Sequence, residues 1–81
     1  MLLGPFHPPV PISATGEGEA RNNIKHVQAA REQLLQWTKR GPEWYLAADA
    51  CLGAIEGKVT PNEVRKAFIE AAREEGRLLS D

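Results

Sequence analysis

The sequence predicts a small α+β fold: an N-terminal β-hairpin followed by three short helices packed as a bundle. Three observations point to it. Two extended segments with alternating apolar residues flank the turn sequence Thr15-Gly16-Glu17-Gly18. Beyond residue 27, apolar residues recur at the three- and four-residue spacings of helix faces. Helix-starting and helix-stopping residues punctuate those stretches at the right places. Without order in the first segment, the same residues give an all-α three-helix bundle with a disordered N-terminus, and that alternative stays open.

Residues 1–8 hold two of the chain's early prolines, Pro5 and Pro8, with Pro9 next, and are expected to form a flexible Pro-rich tail ahead of a single domain over 9–79. PxxP spacing occurs over 5–8 and 8–11, but no Lys or Arg flanks either, which argues against an SH3-type ligand. The hairpin is placed at 9–25. Val10 and Ile12 alternate with Pro9, Pro11 and Ser13, and Ala20, Asn22 and Ile24 share one side of the second strand. Pro9 and Pro11 present no N–H on their side of the backbone. The first strand is therefore expected to pair through Val10 and Ile12, leaving a blocked outer edge, with the only free edge on the Arg21–Lys25 strand.

The first helix is expected at about 27–38, with Val27, Ala30, Leu34 and Trp37 on one face and Leu35 on its flank; His26 stands where an N-cap would. Arg31 projects between Val27 and Leu35, so its stem can lie along the core with the guanidinium in water, or its charge can be presented at an interface. The second helix, about 42–56, opens on Pro42 and stops at Gly57. Trp44, Ala48, Cys51 and Ile55 form its central stripe, beside Ala47, Leu52 and Ala54, and only Asp49, Gly53 and Glu56 face outward. A face this wide predicts the most buried of the three helices. The third, about 61–75, has the strongest local signal: Thr60-Pro61-Asn62-Glu63 spells a capping box, Val64, Ala67, Phe68 and Ala71 make the buried stripe, and Gly76 ends it. Leu46 and Ile69 fall off the stripes, where they either cover the hairpin, stand as isolated exposed apolar residues or mark a protein contact.

Composition bounds the function. A chain of 81 residues makes one domain, and at that size a partner or second copy adds needed apolar burial. One cysteine forms no internal disulfide, no apolar run reaches a bilayer's thickness, and no signal peptide is recognisable, so the cytoplasm is expected, with no membrane partner. Net charge is −1, against general attraction to nucleic acid. The charge is uneven, however: residues 21–40 carry Arg21, Lys25, Arg31, Lys39 and Arg40 against Glu32 alone. That is either a solvated face or a basic docking patch.

No catalytic, cofactor or metal motif emerges. Cys51 lies mid-helix on an apolar stripe and reads as a core thiol rather than a nucleophile. His7 and His26 have no partners at ligand spacing. Asp49 and Glu56 sit two turns apart on an outer face, too far for paired acid–base work. Gly16 and Gly18 lack the third glycine of a dinucleotide loop, and the phosphate-loop sequence is absent. Trp37, Trp44 and Tyr45 gather around the first helix turn beside Lys39 and Arg40, either closing the core's end or offering a stacking or anchoring surface.

The pattern Pro9-Val10, Trp37, Gly41, Tyr45, Ala47-x-x-x-Cys51-x-x-Ala54-x-x-Gly57 and Arg65-x-Ala67-Phe68-Ile69-x-Ala71-Ala72 resembles domain of unknown function 982 over residues 6–76. That group comprises short proteins of rhizobial and related alphaproteobacteria. Pro11 and Asn22-Asn23 depart from its pattern. The resemblance implies a small cytoplasmic bacterial protein and carries no activity, cofactor or site residue. Function is thus expected to be that of a non-enzymatic protein-interaction or accessory module, with an unidentified protein partner or as a homodimer. The alternative is a nucleic-acid-binding regulator using the basic 21–40 segment. The candidate partner surface is Arg21, Lys25, Lys39, Arg40, Leu46 and Ile69.

Overall fold

A computed structural model describes residues 5–13 and 21–79. Its elements run β1 (Pro5–Ser13), β2 (Arg21–His26), α1 (Val27–Gln36), α2 (Pro42–Ile55) and α3 (Pro61–Glu75). The α+β expectation holds: β1 and β2 pair antiparallel, with Val10 opposite Ile24, Pro11 opposite Asn23 and Ile12 opposite Asn22. Pro11 and the asparagines, although atypical of the family's pattern, occupy regular pairing positions. The expected turn at Thr15–Gly18, with Ala20, lies outside the described residues, as do residues 1–4 of the expected tail.

Two expectations about β1 need correction. The strand starts at Pro5 rather than residue 9, across an irregularity in register between Pro5 and Val10, and Phe6 is a core residue at 2% exposure. Phe6, Val10 and Ile12 share the even-numbered face that packs on the helices, so the Pro-rich composition concealed a strand with a buried side. The outer edge of β1 is also not left blocked. The segment after α3 returns along it: Ser13 N–H donates to the Arg77 carbonyl at 2.7 Å, Leu79 N–H donates to the Pro11 carbonyl at 3.1 Å, and Leu78 bridges Ile12. Proline removes a donor but not an acceptor, so the carbonyl of Pro11 and the N–H of Ser13 still suffice for a short third strand. Among the described residues no further strand pairs with β2. Asn22, grouped with Ile24 by alternation, is exposed.

Local signals position the helices. His26 ends β2 and caps α1 directly, its Nδ1 accepting from Ala29 N–H at 3.1 Å. Pro42 takes the first turn of α2, where its missing N–H costs nothing. Thr60 and Glu63 form the predicted capping box, with the Thr60 hydroxyl accepting from Glu63 N–H at 3.2 Å and Thr60 N–H donating to the Glu63 carboxylate at 2.9 Å. The Thr60 N–H and the Thr60 hydroxyl, both donating to the Glu63 carboxylate, hold that carboxyl below its ordinary pKa. Gly76, at φ +76°, closes α3 in the left-handed conformation glycine favours.

The core joins all five elements: Phe6, Val10, Ile12 and Ile24 from the hairpin, Val27, Ala30, Leu34 and Trp37 around α1, and Cys51, Val64 and Phe68 among the rest. Trp37 stacks on Phe68 at a centroid distance of 5.4 Å. Among the described residues the Trp37 indole N–H has no acceptor, so the ring serves through its buried area.

Candidate interaction surface

The helix expected to be most buried is the one that exposes most. On α2, Trp44, Ala47, Cys51 and Ala54 are buried, whereas Tyr45, Leu46, Leu52 and Ile55 are 62, 58, 52 and 47% exposed. Each residue turns a helix by about 100°. Trp44-Ala47-Cys51-Ala54 and Tyr45-Ala48-Leu52-Ile55 are therefore two parallel rows with the same 3-4-3 spacing, one residue out of step. The Trp44 row faces the core and the Tyr45 row faces out. A wide apolar arc means burial only if neighbours cover all of it. Here α1 and α3 cover one side of α2 and no described element covers the other.

Contacts at the α1–α2 turn bring the Leu34-Leu35 backbone beside Trp44 and Arg40, where the outer row begins. The Trp44 indole N–H donates to the Leu34 carbonyl at 2.7 Å, and the Trp44 ring meets Tyr45 edge-on at 5.1 Å. Arg40 binds this corner together: Nε donates to the Trp37 carbonyl at 2.9 Å, Nη2 donates to the Leu35 carbonyl at 3.0 Å, and the guanidinium lies 4.6 Å from the Trp44 ring centroid. A cation on the last carbonyls of α1 also opposes that helix's dipole. Arg40 holds a left-handed φ of +50°, which costs a side-chain-bearing residue about 1 kcal/mol, and these contacts offset it. From the far side, the Glu75 carboxylate accepts Lys39 N–H at 2.9 Å and Arg40 N–H at 3.4 Å, while Glu74 accepts Glu43 N–H at 3.1 Å at the start of α2. A Cβ at Gly41 would stand 2.7 Å from the Glu74 carboxylate, so a larger residue there would have to displace that side chain from Glu43 N–H.

Leu35, half exposed on α1, and Tyr45, Ala48, Leu52 and Ile55 on α2 thus make one apolar strip. Its two margins differ in charge. On the α1 side lie Arg40, over Trp44, and exposed Arg31, whose charge reaches the Cys51 thiol one row in. On the opposite side, a further step around α2, lie exposed Asp49 and Glu56, the latter 3.5 Å from Lys58.

The described side chains of the expected partner surface lie at separate places. Lys25 sits exposed before α1 and Lys39-Arg40 after it, with a ten-residue helix, about 15 Å long, between them. The basic 21–40 segment is strung along α1 rather than gathered into a patch. Arg21 pairs through its backbone with Ser13, and its side chain lies outside the described residues. Leu46 is exposed on α2, away from both apolar rows. Ile69 is half-buried and lines a groove with Val10, Pro11, Leu78 and Leu79, so it packs under the returning segment, one of the roles left open for it. Sequence pattern alone sets Leu35, Leu52 and Ile55 in the core or at its edge and places Tyr45 among the aromatics of the helix turn. The doubled 3-4-3 spacing is the signal that separates them from it.

The aromatic pair closes the core as expected, with Trp37 fully buried and Trp44 9% exposed, while Tyr45 points out. Cys51 is 1% exposed, and burial pushes its pKa up to about 11, against the opposing pull of Arg31. The raised value makes stability fully present below the ordinary thiol pKa of 9.0 and lost as pH climbs towards 11. Two pKa units correspond to about 2–3 kcal/mol. We expect denaturant titrations to show the wild type losing this much more than Cys51→Ala between pH 8.5 and 11, as rough bounds on that window. Parallel pH profiles for the two proteins would refute the assignment. Among the described residues no three His, Cys, Asp or Glu side chains are placed to hold a metal ion, and no helix is long and apolar enough to cross a membrane.

A two-stranded hairpin closed by a returning segment and backed by three helices, one carrying an apolar row that no described element covers, defines a small α+β domain. The family model for the protein of unknown function DUF982 matches residues 8–79, and the chain belongs to that family. No curated protein and no solved structure gives a significant match.

Proposed function

We propose that this protein is a non-enzymatic interaction module of the cytoplasm and that its outward α2 row takes an amphipathic helix as partner. The exposed 3-4-3 row carries the reading. Its spacing is that of a helix–helix seam, and four large apolar side chains about half exposed in one strip exceed the scatter of single surface residues. The buried, unreactive thiol and the lack of other cysteines suit a reducing compartment. The test compares wild type with Leu52→Glu as baits for proteins of the native host. Leu52 is 52% exposed, so the variant is expected to keep its circular dichroism and melting profile. A protein held through a helical segment by wild type and lost by Leu52→Glu supports the reading. Identical recovery on both baits, or none on either with both monomeric, defeats it.

A further inference from the structure

We infer that the helix completing this surface is α2 of a second copy, packed parallel to the first about a two-fold axis that runs along the strip. The inference rests on the interaction reading above and adds the partner and its direction. It follows from the order of features across the strip: a basic margin (Arg40 over Trp44, with Arg31 exposed on α1), an apolar centre, and a margin carrying the carboxylates Asp49 and Glu56, the latter 3.5 Å from Lys58. Two copies can face each other with their helices antiparallel or parallel. A two-fold axis across the strip gives the antiparallel pair and sets each margin against its own kind, acid on acid and base on base. An axis along the strip gives the parallel pair and sets each margin against its opposite.

Register sharpens the match. In a parallel seam with Tyr45 and Leu52 at the first core position of each heptad, Asp49 and Glu56 take the positions just after the seam. Each then faces the position just before it on the partner, five residues earlier in sequence: Trp44 and Cys51. Both of those side chains are buried; the Arg40 guanidinium lies over the Trp44 ring, and Arg31, exposed on α1, is close enough for its charge to act on the Cys51 thiol. Asp49 therefore meets the partner copy's Arg40, and Glu56 meets its Arg31, with each pair made twice by symmetry. Ala48, the small member of the row, lets the helices approach at its level.

The area sets the strength. Four half-exposed apolar side chains supply a few hundred Å² per copy, less than the roughly 800 Å² per partner of a standard stable interface. The dimer is accordingly a reversible one, with Kd on the order of micromolar.

Sedimentation velocity across a concentration series up to about 1 mM reads the association directly. Wild type is expected to shift from monomer to dimer, and Leu52→Glu to remain monomeric with its fold intact. Should Leu52→Glu fail to fold, Ile55→Lys serves, since Ile55 is 47% exposed. Reversing one margin with Arg31→Glu is expected to weaken the dimer about tenfold, and adding Glu56→Arg in the same chain to restore it. The double variant restores only the parallel arrangement, because only there does position 31 face position 56 of the other copy. A wild type that is monomeric throughout the range overturns the inference, and so does a dimer that Arg31→Glu with Glu56→Arg fails to restore. If such a monomer still captures a helical protein that Leu52→Glu loses, the interaction reading stands without this partner. A dimer indifferent to both Leu52→Glu and Ile55→Lys likewise overturns the inference, and identical capture on the wild-type and Leu52→Glu baits then removes the interaction reading as well.

Discussion

Phe68→Ala is expected to leave the protein largely unfolded at room temperature. Phe68 is fully buried at the point where α3 meets Trp37, with the two rings stacked at an interplanar angle of 22°. Truncation removes the ring's transfer energy, leaves a cavity beneath the largest buried side chain of the core, and breaks the aromatic pair. Such losses run to about 3–5 kcal/mol. A domain of this length has about 4–12 kcal/mol in total, so one ring is a large share of what holds it together. Thermal melts by circular dichroism should show the cooperative transition lowered by tens of degrees or gone, and Trp37 emission should move to the red. Phe68→Leu, which keeps most of the volume, should retain a transition. A Phe68→Ala protein melting within a few degrees of wild type would show that the core is centred elsewhere.

Ile12→Ala is expected to cost about 3 kcal/mol, near the range for a fully buried aliphatic side chain. The result bears on the architecture. Ile12 is 0% exposed, pairs with Asn22 on one side and bridges Leu78 on the other, and packs its side chain on the helices. In an α+β domain its loss lowers the single unfolding transition by roughly 10–20 °C. In a three-helix bundle with a disordered N-terminus it would change nothing. Equal melting temperatures for wild type and Ile12→Ala would therefore restore the all-α alternative.

The helix boundaries are legible in the sequence because capping is local. Thr60 and Glu63 meet within one turn, and Pro42, Gly76 and His26 act within three residues of themselves. What stays hidden depends on contacts between distant residues. The returning segment is held by backbone groups of Pro11 and Ser13, and three residues leave no periodicity to read. Phe6 is obscured by prolines that usually mark loose chain. The largest discrepancy, α2 expected as the most buried of the three helices, comes from a pattern that cannot distinguish a core from an interface: Leu52 and Ile55 are apolar for the same physical reason in either place. Of the expected surface residues, Arg40 borders the apolar strip, and the sequence marks it by its charge rather than by its place over Trp44.

The short strand formed by Arg77–Leu79 has a consequence for the order of events on the ribosome. Residue 12 emerges early, together with its hairpin partner at residue 22, but its other neighbour, Leu78, is more than sixty residues behind it. A two-stranded ribbon is at best marginal by itself in water, and domains fold as units during synthesis. The nascent hairpin must therefore wait through the making of all three helices with one edge uncovered. Residues made more than sixty positions later finish the first element to be made, and a chain stalled between the two would expose the strand edge that Leu78 covers.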